Sequence, residues 1–444
     1  MKLARKLNAF DATLIVAGGI IGAGIFRNPS VVAQRVHTTP LIFSVWIFGG
    51  IVALLGGFIF AELAWRRPAS GGLYGYMRDA FHPSVAFMYG WTALWVSQSG
   101  GMAAAAVTFA AYIVPLWGNG IAPWIPAAGI IAALSAINCF GVREGGTTQN
   151  VLMLLKIGVI AALIIGGVIA APASHHALPP ATAGMSGIAL LSLVGAALVP
   201  VLYAYDGWQI APFMDGELKD TRRTLPIGMI AGVGIVVVLY LAVTFVSVRV
   251  LGATGLAATD TPASDVMRVA FGPLGERIIA IGVALSTLGF ISNQVLTSPR
   301  IYYVMATDGI FFKHLAWVHP KTRVPLVAII VQAVVAIAIA AWGRYDQILN
   351  YVTAMDFIFL GLAGVALFIF IRKSAGMPQE PGVRIPLHPW STAFFVLVSA
   401  AVVVNTYIAF PKESLIGLGI LLSGVPAYWI WRALRHESAF STAG

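Results

Sequence analysis

The run Gly18-Gly19-Ile20-Ile21-Gly22-Ala23-Gly24 places four glycines and an alanine between Ala17 and Ile25, inside an otherwise apolar segment. Each glycine costs a helix roughly 1 kcal/mol relative to alanine. Irregular backbone survives at bilayer depth only where protein or a water-lined cavity satisfies its polar groups. The run therefore reads as a helix broken around a binding site. Amides that open the second half-helix favour an anion, and carbonyls that close the first half favour a cation. One break can thus hold a ligand with both charges. A second break is expected at Tyr203-Ala204-Tyr205-Asp206-Gly207-Trp208, between Pro200 and Pro212.

Ionisable residues inside apolar runs are the next source of chemistry. Lys156 stands between Leu155 and Ile157, and Asp356 between Met355 and Phe357. A charge at the centre of a membrane helix costs around 2.5–3.5 kcal/mol on insertion scales, which argues for function at Lys156 over snorkelling to an interface. Asp206 lies within the second break, and its alternative role is a local cap on nearby amides. Asp356 is a candidate proton-relay or gating acid, or one half of an intraprotein pair. Glu62, close to Arg66 and Arg67 at a span end, reads as an ion pair. The small residues Gly100 to Ala106 read as close helix packing.

The elements that must position these residues are membrane helices. The chain has 444 residues, of which 59% are hydrophobic and 10% charged. Soluble domains carry roughly 25% charged residues. At about 20 residues per crossing, hydropathy gives about twelve spans: 10–35, 39–65, 81–115, 122–141, 150–171, 187–214, 225–251, 276–307, 323–342, 346–371, 389–410 and 413–432. The fold class is an all-α integral membrane protein in one transmembrane domain. Breaks in the first and sixth spans are the pattern of five-plus-five inverted repeats, 10–171 and 187–371, followed by two further helices at 389–432. The first span outlasts a signal-peptide h-region and has no A-x-A cleavage site, so it is expected to stay in the protein. The connections 172–186, with His175 and His176, and 252–275 are expected to be ordinary connectors, or reentrant or interfacial helices that cap an entrance.

Of the 27 Lys and Arg residues, only Arg27, Arg35, Arg249, Arg268, Arg277, Arg344 and Lys412 fall on the side opposite the amino terminus, with Lys156 inside a span. The positive-inside rule then puts both termini in the cytoplasm. This bias towards anionic lipid accounts for the net charge of +10, so no nucleic-acid partner is expected. Cys139 is the sole cysteine, which excludes an intrachain disulfide and argues against a disulfide-linked partner subunit. There is no G-x-S-x-G, H-E-x-x-H, Walker A or Cys/His cluster, so neither an enzyme nor an ATP-driven pump is expected, and no metal or cofactor.

Ordered motifs along nearly the whole chain resemble one family. They are Gly18 to Pro29, Ala61-Glu62-Leu63 with Ser70 to Tyr74, Asn138-Cys139, Gln149 to Lys156, Tyr203 to Trp208 with Gly216-Glu217, Ser298-Pro299-Arg300 with Asp308-Gly309, and Arg384 to Pro386. The chain resembles the amino-acid/polyamine/organocation superfamily, in its L-type amino-acid transporter branch. The resemblance implies that a substrate carboxylate meets the amides of Gly22, Ala23 and Gly24, and its amino group the carbonyls of Ile20, Tyr203 and Asp206. It implies that Tyr203 closes over the substrate and Trp208 lines its side-chain pocket. It also implies that Lys156 substitutes for a sodium ion by bridging spans one and eight, with Ser292 and Asn293 as neighbours. Ala23 replaces the usual serine and removes a hydroxyl, whereas Asp206 replaces a small residue of animal members and leaves the preferred substrate charge open. The implied function is secondary active amino-acid transport in a bacterial cytoplasmic membrane. Sodium-independent exchange of neutral L-amino acids is the first reading and a proton-coupled amino-acid or amine symporter the second. A channel, or a sensor without transport, is a reading of another class.

Overall fold

The computed structural model describes residues 8–22, 24–68, 72–117, 121–140, 142–172, 187–210, 212, 220–374 and 382–441. Every regular element among them is helical. The first half contains α1 (Ala9–Ile20), α2 (Gly24–Val36), α3 (Thr39–Arg66), α4 (Gly72–Ala80), α5 (Pro83–Thr92), α6 (Gln98–Trp117), α7 (Trp124–Phe140) and α8 (Val142–Ile169). The second half contains α9 (Gly187–Tyr205), α10 (Thr221–Ala257), α11 (Pro262–Thr297), α12 (Pro299–Thr307), α13 (Leu326–Trp342) and α14 (Tyr345–Lys373). Two further helices follow, α15 (Trp390–Ala409) and α16 (Pro411–Ser441).

Seven of these helices are long and apolar enough to cross a membrane, and α1 with α2 forms an eighth span bent by 44°. The shorter α7, α9 and α13, and the α5–α6 pair joined through a π-helical turn at Ala93–Ser97, occupy the other stretches that hydropathy marks. This is the all-α membrane fold expected. The 252–275 connection is not a plain loop. Gly252 at φ 69° and Gly272 at φ 67° bend the chain there, and the residues between them are largely helical.

Local chemistry explains both breaks. Asn8 caps α1 by accepting from the Phe10 and Asp11 amides, and Asp11 returns a bond to the Asn8 amide, a capping box. Twelve residues later the glycines end the helix at Ile20. In α9, Pro200 has no N–H for the Ala196 carbonyl, and the Arg35 guanidinium donates to that carbonyl instead. The Asn28 amide donates to the Pro200 carbonyl at 2.5 Å, tying α2 to α9. Beyond Tyr205 the helix stops, and Gly207 takes φ 122°. A Cβ at Gly207 would run into the Gly19 carbonyl oxygen, and one at Gly24 would lie 2.9 Å from Ala204 Cα. The two breaks thus meet backbone to backbone, at separations only glycine permits.

Replacing Gly207 with alanine is expected to cost about 1–3 kcal/mol through the forced positive φ alone, and more through the Gly19 contact. Gly419→Ala, where a Cβ meets nothing within 4 Å, should be neutral or slightly stabilising. The monodisperse fraction surviving a thermal ramp in detergent measures both, and equal midpoints for the two variants would contradict this packing.

Candidate functional site

Between the breaks lies a cavity that is small and open to one side. Ile20, Gly22 and Gly24 line it from the first break, and Tyr203, Ala204, Asp206, Gly207, Gln209 and Ile210 from the second. Ser97, Gln98, Phe290, Gln294 and Asp356 complete the wall. Ala23 lies outside the described residues, as do His175, His176, Gly216 and Glu217. Of the residues expected at the site, the structure therefore brings Ile20, Gly22, Gly24, Tyr203 and Asp206 together.

Trp208 is placed elsewhere. Its indole packs edge-on against Phe60, with centroids 4.8 Å apart, and lines a smaller, separate cavity. Val52, Leu202, Phe357 and Phe395 share that annex, and Asp206 borders both spaces. Irregular backbone at Gly207 turns residue 208 away from the face that Tyr203 occupies.

The freed carbonyls of α1 find partners on other helices. Lys156 on α8 is fully buried, and its Nζ donates to the Gly18 carbonyl at 3.1 Å and the Ile21 carbonyl at 2.7 Å. The Tyr240 hydroxyl on α10 donates to the Ile20 carbonyl at 3.0 Å. Tyr240 is held by an edge contact to Trp46 and by stacking on Tyr205. The Lys156 stem runs past Gly289 on α11, where a Cβ would lie 2.6 Å from Cε. Lys156 thus touches spans one and eight, bonding to the first and packing on the second. Ser292 and Asn293 are buried one turn along α11, and among the described residues neither accepts from the ammonium.

Other polar groups set the cavity wall. The π-helical turn Ala93–Ser97 inserts a wide turn between α5 and α6, a device frequent at functional sites. It delivers Ser97 and Gln98 to the cavity, and Gln98 accepts from Ser298 at 2.8 Å. The Asp206 and Asp356 carboxyls lie within hydrogen-bonding reach of each other, with the Ser97 hydroxyl on Asp356 and Gln209 on Asp206. The apolar-run signal marked both acids. Ser97, Gln98, Gln209 and Gln294 were not marked, although uncharged polar residues in apolar spans are a usable signal. Tyr240 carried no signal, being one aromatic among many.

Polar networks close both ends. At one, Arg27 stacks over the Tyr345 ring at 4.4 Å and reaches Asp260 at 3.4 Å, while the Tyr345 hydroxyl donates to Asn28 at 2.8 Å. At the other, Asp308 accepts from Tyr74 at 2.7 Å and from Arg78 at 2.6 Å. Burial, with Asp308 beside it, holds the Tyr74 hydroxyl well above the ordinary phenol range. Glu62 pairs with Arg66 at 2.7 Å and accepts from the Ile385 amide at 2.8 Å, as an ion pair and not a cavity contact. No group of acids, histidines and cysteines among the described residues has metal-binding geometry.

Comparison with known proteins gives one family and several relatives. The model of the amino acid permease family matches residues 7–425. The chain is 28% identical over 434 residues to the serine/threonine exchanger SteT of Bacillus subtilis, covering 96% of this chain and 97% of that protein. It is 28% identical to the human b(0,+)-type amino acid transporter 1, covering 97% and 88% of the two chains. Against the human large neutral amino acids transporter small subunit 2 the identity is 28%, with 98% and 82% covered.

The Lys156 anchor makes a double-mutant prediction. Gly289→Ala should destabilise the protein by displacing the ammonium, and Lys156→Ala by leaving two buried carbonyls unpaired, about 1–3 kcal/mol each. The double variant should lose less than the two separate losses combined, by about 1 kcal/mol. Strict additivity in thermal unfolding would place the Lys156 stem away from Gly289.

Proposed function

The chain belongs to the amino acid permease family, and from that premise we propose that it is a sodium-independent exchanger of neutral L-amino acids working by alternating access. Membership makes it a multi-pass membrane protein that transports amino acids and not an enzyme. The observation that supports the exchange reading is the Lys156 ammonium bonded to the Gly18 and Ile21 carbonyls. It supplies permanently the positive charge that a bound sodium would supply at a helix break.

In this reading the amides at Gly22, Ala23 and Gly24 take the substrate carboxylate, favoured by the positive end of α2. The carbonyls of Ile20, Tyr203 and Asp206 take the amino group. Ile20 already accepts from Tyr240, and Tyr203 accepts from the Asp206 amide at 3.3 Å, but each carbonyl oxygen has a second lone pair. Tyr203 acts as the lid, Trp208 sets side-chain size through its annex, and Ser292 and Asn293 support Lys156 through α11. The halves 10–171 and 187–371 rock as inverted repeats, with 389–432 outside them. The charge bias puts both termini in the cytoplasm of a bacterial cell, the Arg27 end outside and the Arg78 end inside. With Cys139 near the end of α7 as the sole thiol, the protein works without a disulfide-linked subunit. Proton-coupled uptake of an amino acid or amine is the second reading, favoured by the carboxyl pair in the cavity wall.

Proteoliposomes separate the two. Preloading with unlabelled neutral amino acid should accelerate uptake of labelled substrate at least several-fold, with no response to sodium or to an imposed pH gradient. Uptake into empty vesicles driven by an inward proton gradient would establish the second reading instead. Tyr203→Phe should retain most transport and Tyr203→Ala lose most of it at equal abundance, because a lid needs the ring and not the hydroxyl. Esterifying the substrate carboxylate should abolish competition.

A further inference from the structure

Asp308 closes α12 and joins the two halves of the chain at one end of the bundle. Its carboxylate accepts from Tyr74 at 2.7 Å and from Arg78 at 2.6 Å, both on α4. The way α12 stops aims the acid there. Gly309 takes φ 73°, its amide donates to the Ala306 carbonyl at 3.1 Å, and the Ile310 amide donates to the Met305 carbonyl at 3.0 Å. These two bonds are a Schellman motif with Asp308 at the cap. The Gly309 carbonyl then lies beyond the helix, and the Trp431 indole N–H of α16 donates to it at 3.2 Å.

α16 is itself well anchored. The Trp431 ring meets Phe312 edge-on at 5.4 Å, and Phe312 meets the fully buried Phe311 at 5.1 Å. One turn back, Tyr428 packs on Phe87 of α5 at 5.5 Å. The Trp91 indole of α5 donates to the Ile420 carbonyl and the Ser423 hydroxyl, each at 3.1 Å. The Arg78–Asp308 pair has side chains 35% and 32% exposed, and an ion pair that open to water contributes little unless its geometry is fixed beforehand. Fixing the acid in advance removes entropy that the contact would otherwise lose each time it forms.

We propose that Trp431 is a positioning residue for closure of the Arg78 end. By holding the Gly309 carbonyl it sets the turn from which Asp308 reaches Tyr74 and Arg78, so a helix outside both halves governs how long that end stays shut. The inference rests on the alternating-access reading above, in which bonds between the halves at one end must break for that end to open.

The test measures the KM for exchange at each mouth, in right-side-out and inside-out membrane vesicles, with labelled L-serine or L-leucine, whichever the wild type carries faster. In an exchanger with one alternating site, each KM scales with the fraction of loaded carriers open to that side. Trp431→Phe keeps a ring against Phe312 and removes the donor, so the Arg78 end opens more readily. The ratio of the KM at the Arg27 end to that at the Arg78 end should fall about fivefold, the worth of one ordinary hydrogen bond. A merely structural loss would lower abundance or rate and leave that ratio unchanged. Asp308→Asn should move the ratio the same way, and adding Trp431→Phe to it should move it no further. Replacing Trp431 by β-(3-benzothienyl)alanine, which has sulfur in place of the N–H and the same shape, should reproduce Trp431→Phe and carries the test if the phenylalanine variant does not fold. An unchanged ratio, or full additivity with Asp308→Asn, would overturn the inference and leave the transport reading intact. A wild type that carries neither amino acid would instead remove the reading on which the inference rests.

Discussion

A helix broken inside a bilayer must find donors for the carbonyls it releases, and everything around the cavity follows from how α1 meets that demand. Water cannot serve in the hydrocarbon core, and each unpaired group costs several kcal/mol. The Ala17 carbonyl keeps a local partner in the Ile21 amide, but Gly18, Ile20 and Ile21 depend on Lys156 and Tyr240 from α8 and α10. The break is consequently a joint of three helices. Removing either donor unsettles the backbone that forms the site before it touches any ligand.

The same logic recurs through the bundle. Arg35 serves the carbonyl that Pro200 orphans in α9, and Arg249 on α10 donates to the Gly167 and Ala170 carbonyls where α8 ends. Asn28 joins α2 to α9 and, through Tyr345, to α14. Among the described residues, several polar side chains thus repair helix ends and irregular turns. The Asp206 and Asp356 carboxyls instead answer to each other and to the cavity. The molecule therefore holds the breaks rigidly through many bonds, while the groups facing the substrate stay lightly engaged. The end networks, Arg27 with Tyr345 and Arg78 with Asp308, tie together helices that are far apart in sequence.

Glycine density and the expense of buried charge made much of this legible. Gly18 to Gly24 announces a break because so many poor helix formers do not accumulate in a span by accident of packing, and Lys156, Asp206 and Asp356 stand out because charge in an apolar run is costly. Seven of the expected spans, or eight with the bent α1–α2 pair, coincide with helices long and apolar enough to cross a membrane, because hydrocarbon thickness sets a minimum length. Trp208 was not legible. Its direction depends on the φ of Gly207, which lies outside any helical periodicity, and the side chain ends in an annex against Phe60. Tyr240 was hidden because its hydroxyl matters only through a carbonyl 220 residues away in sequence. In the 252–275 stretch, where the sequence leaves a plain connector or a capping helix open, the chain forms two short helical pieces bounded by the positive-φ glycines Gly252 and Gly272.

The π-helical turn at Ala93–Ser97 has an evolutionary corollary. Such a turn is an α-helix with one residue too many, so a single-codon deletion there would restore the regular helix. Each residue of an α-helix advances it by about 100°, and that deletion would turn Ser97 and Gln98 away from the cavity, and the rest of α6 with them. The Tyr112 hydroxyl on α6, which donates to the Phe26 carbonyl of α2, would turn too. The wide turn therefore sets the register of a whole helix, and what the cavity wall presents is tied to how α6 packs along its length.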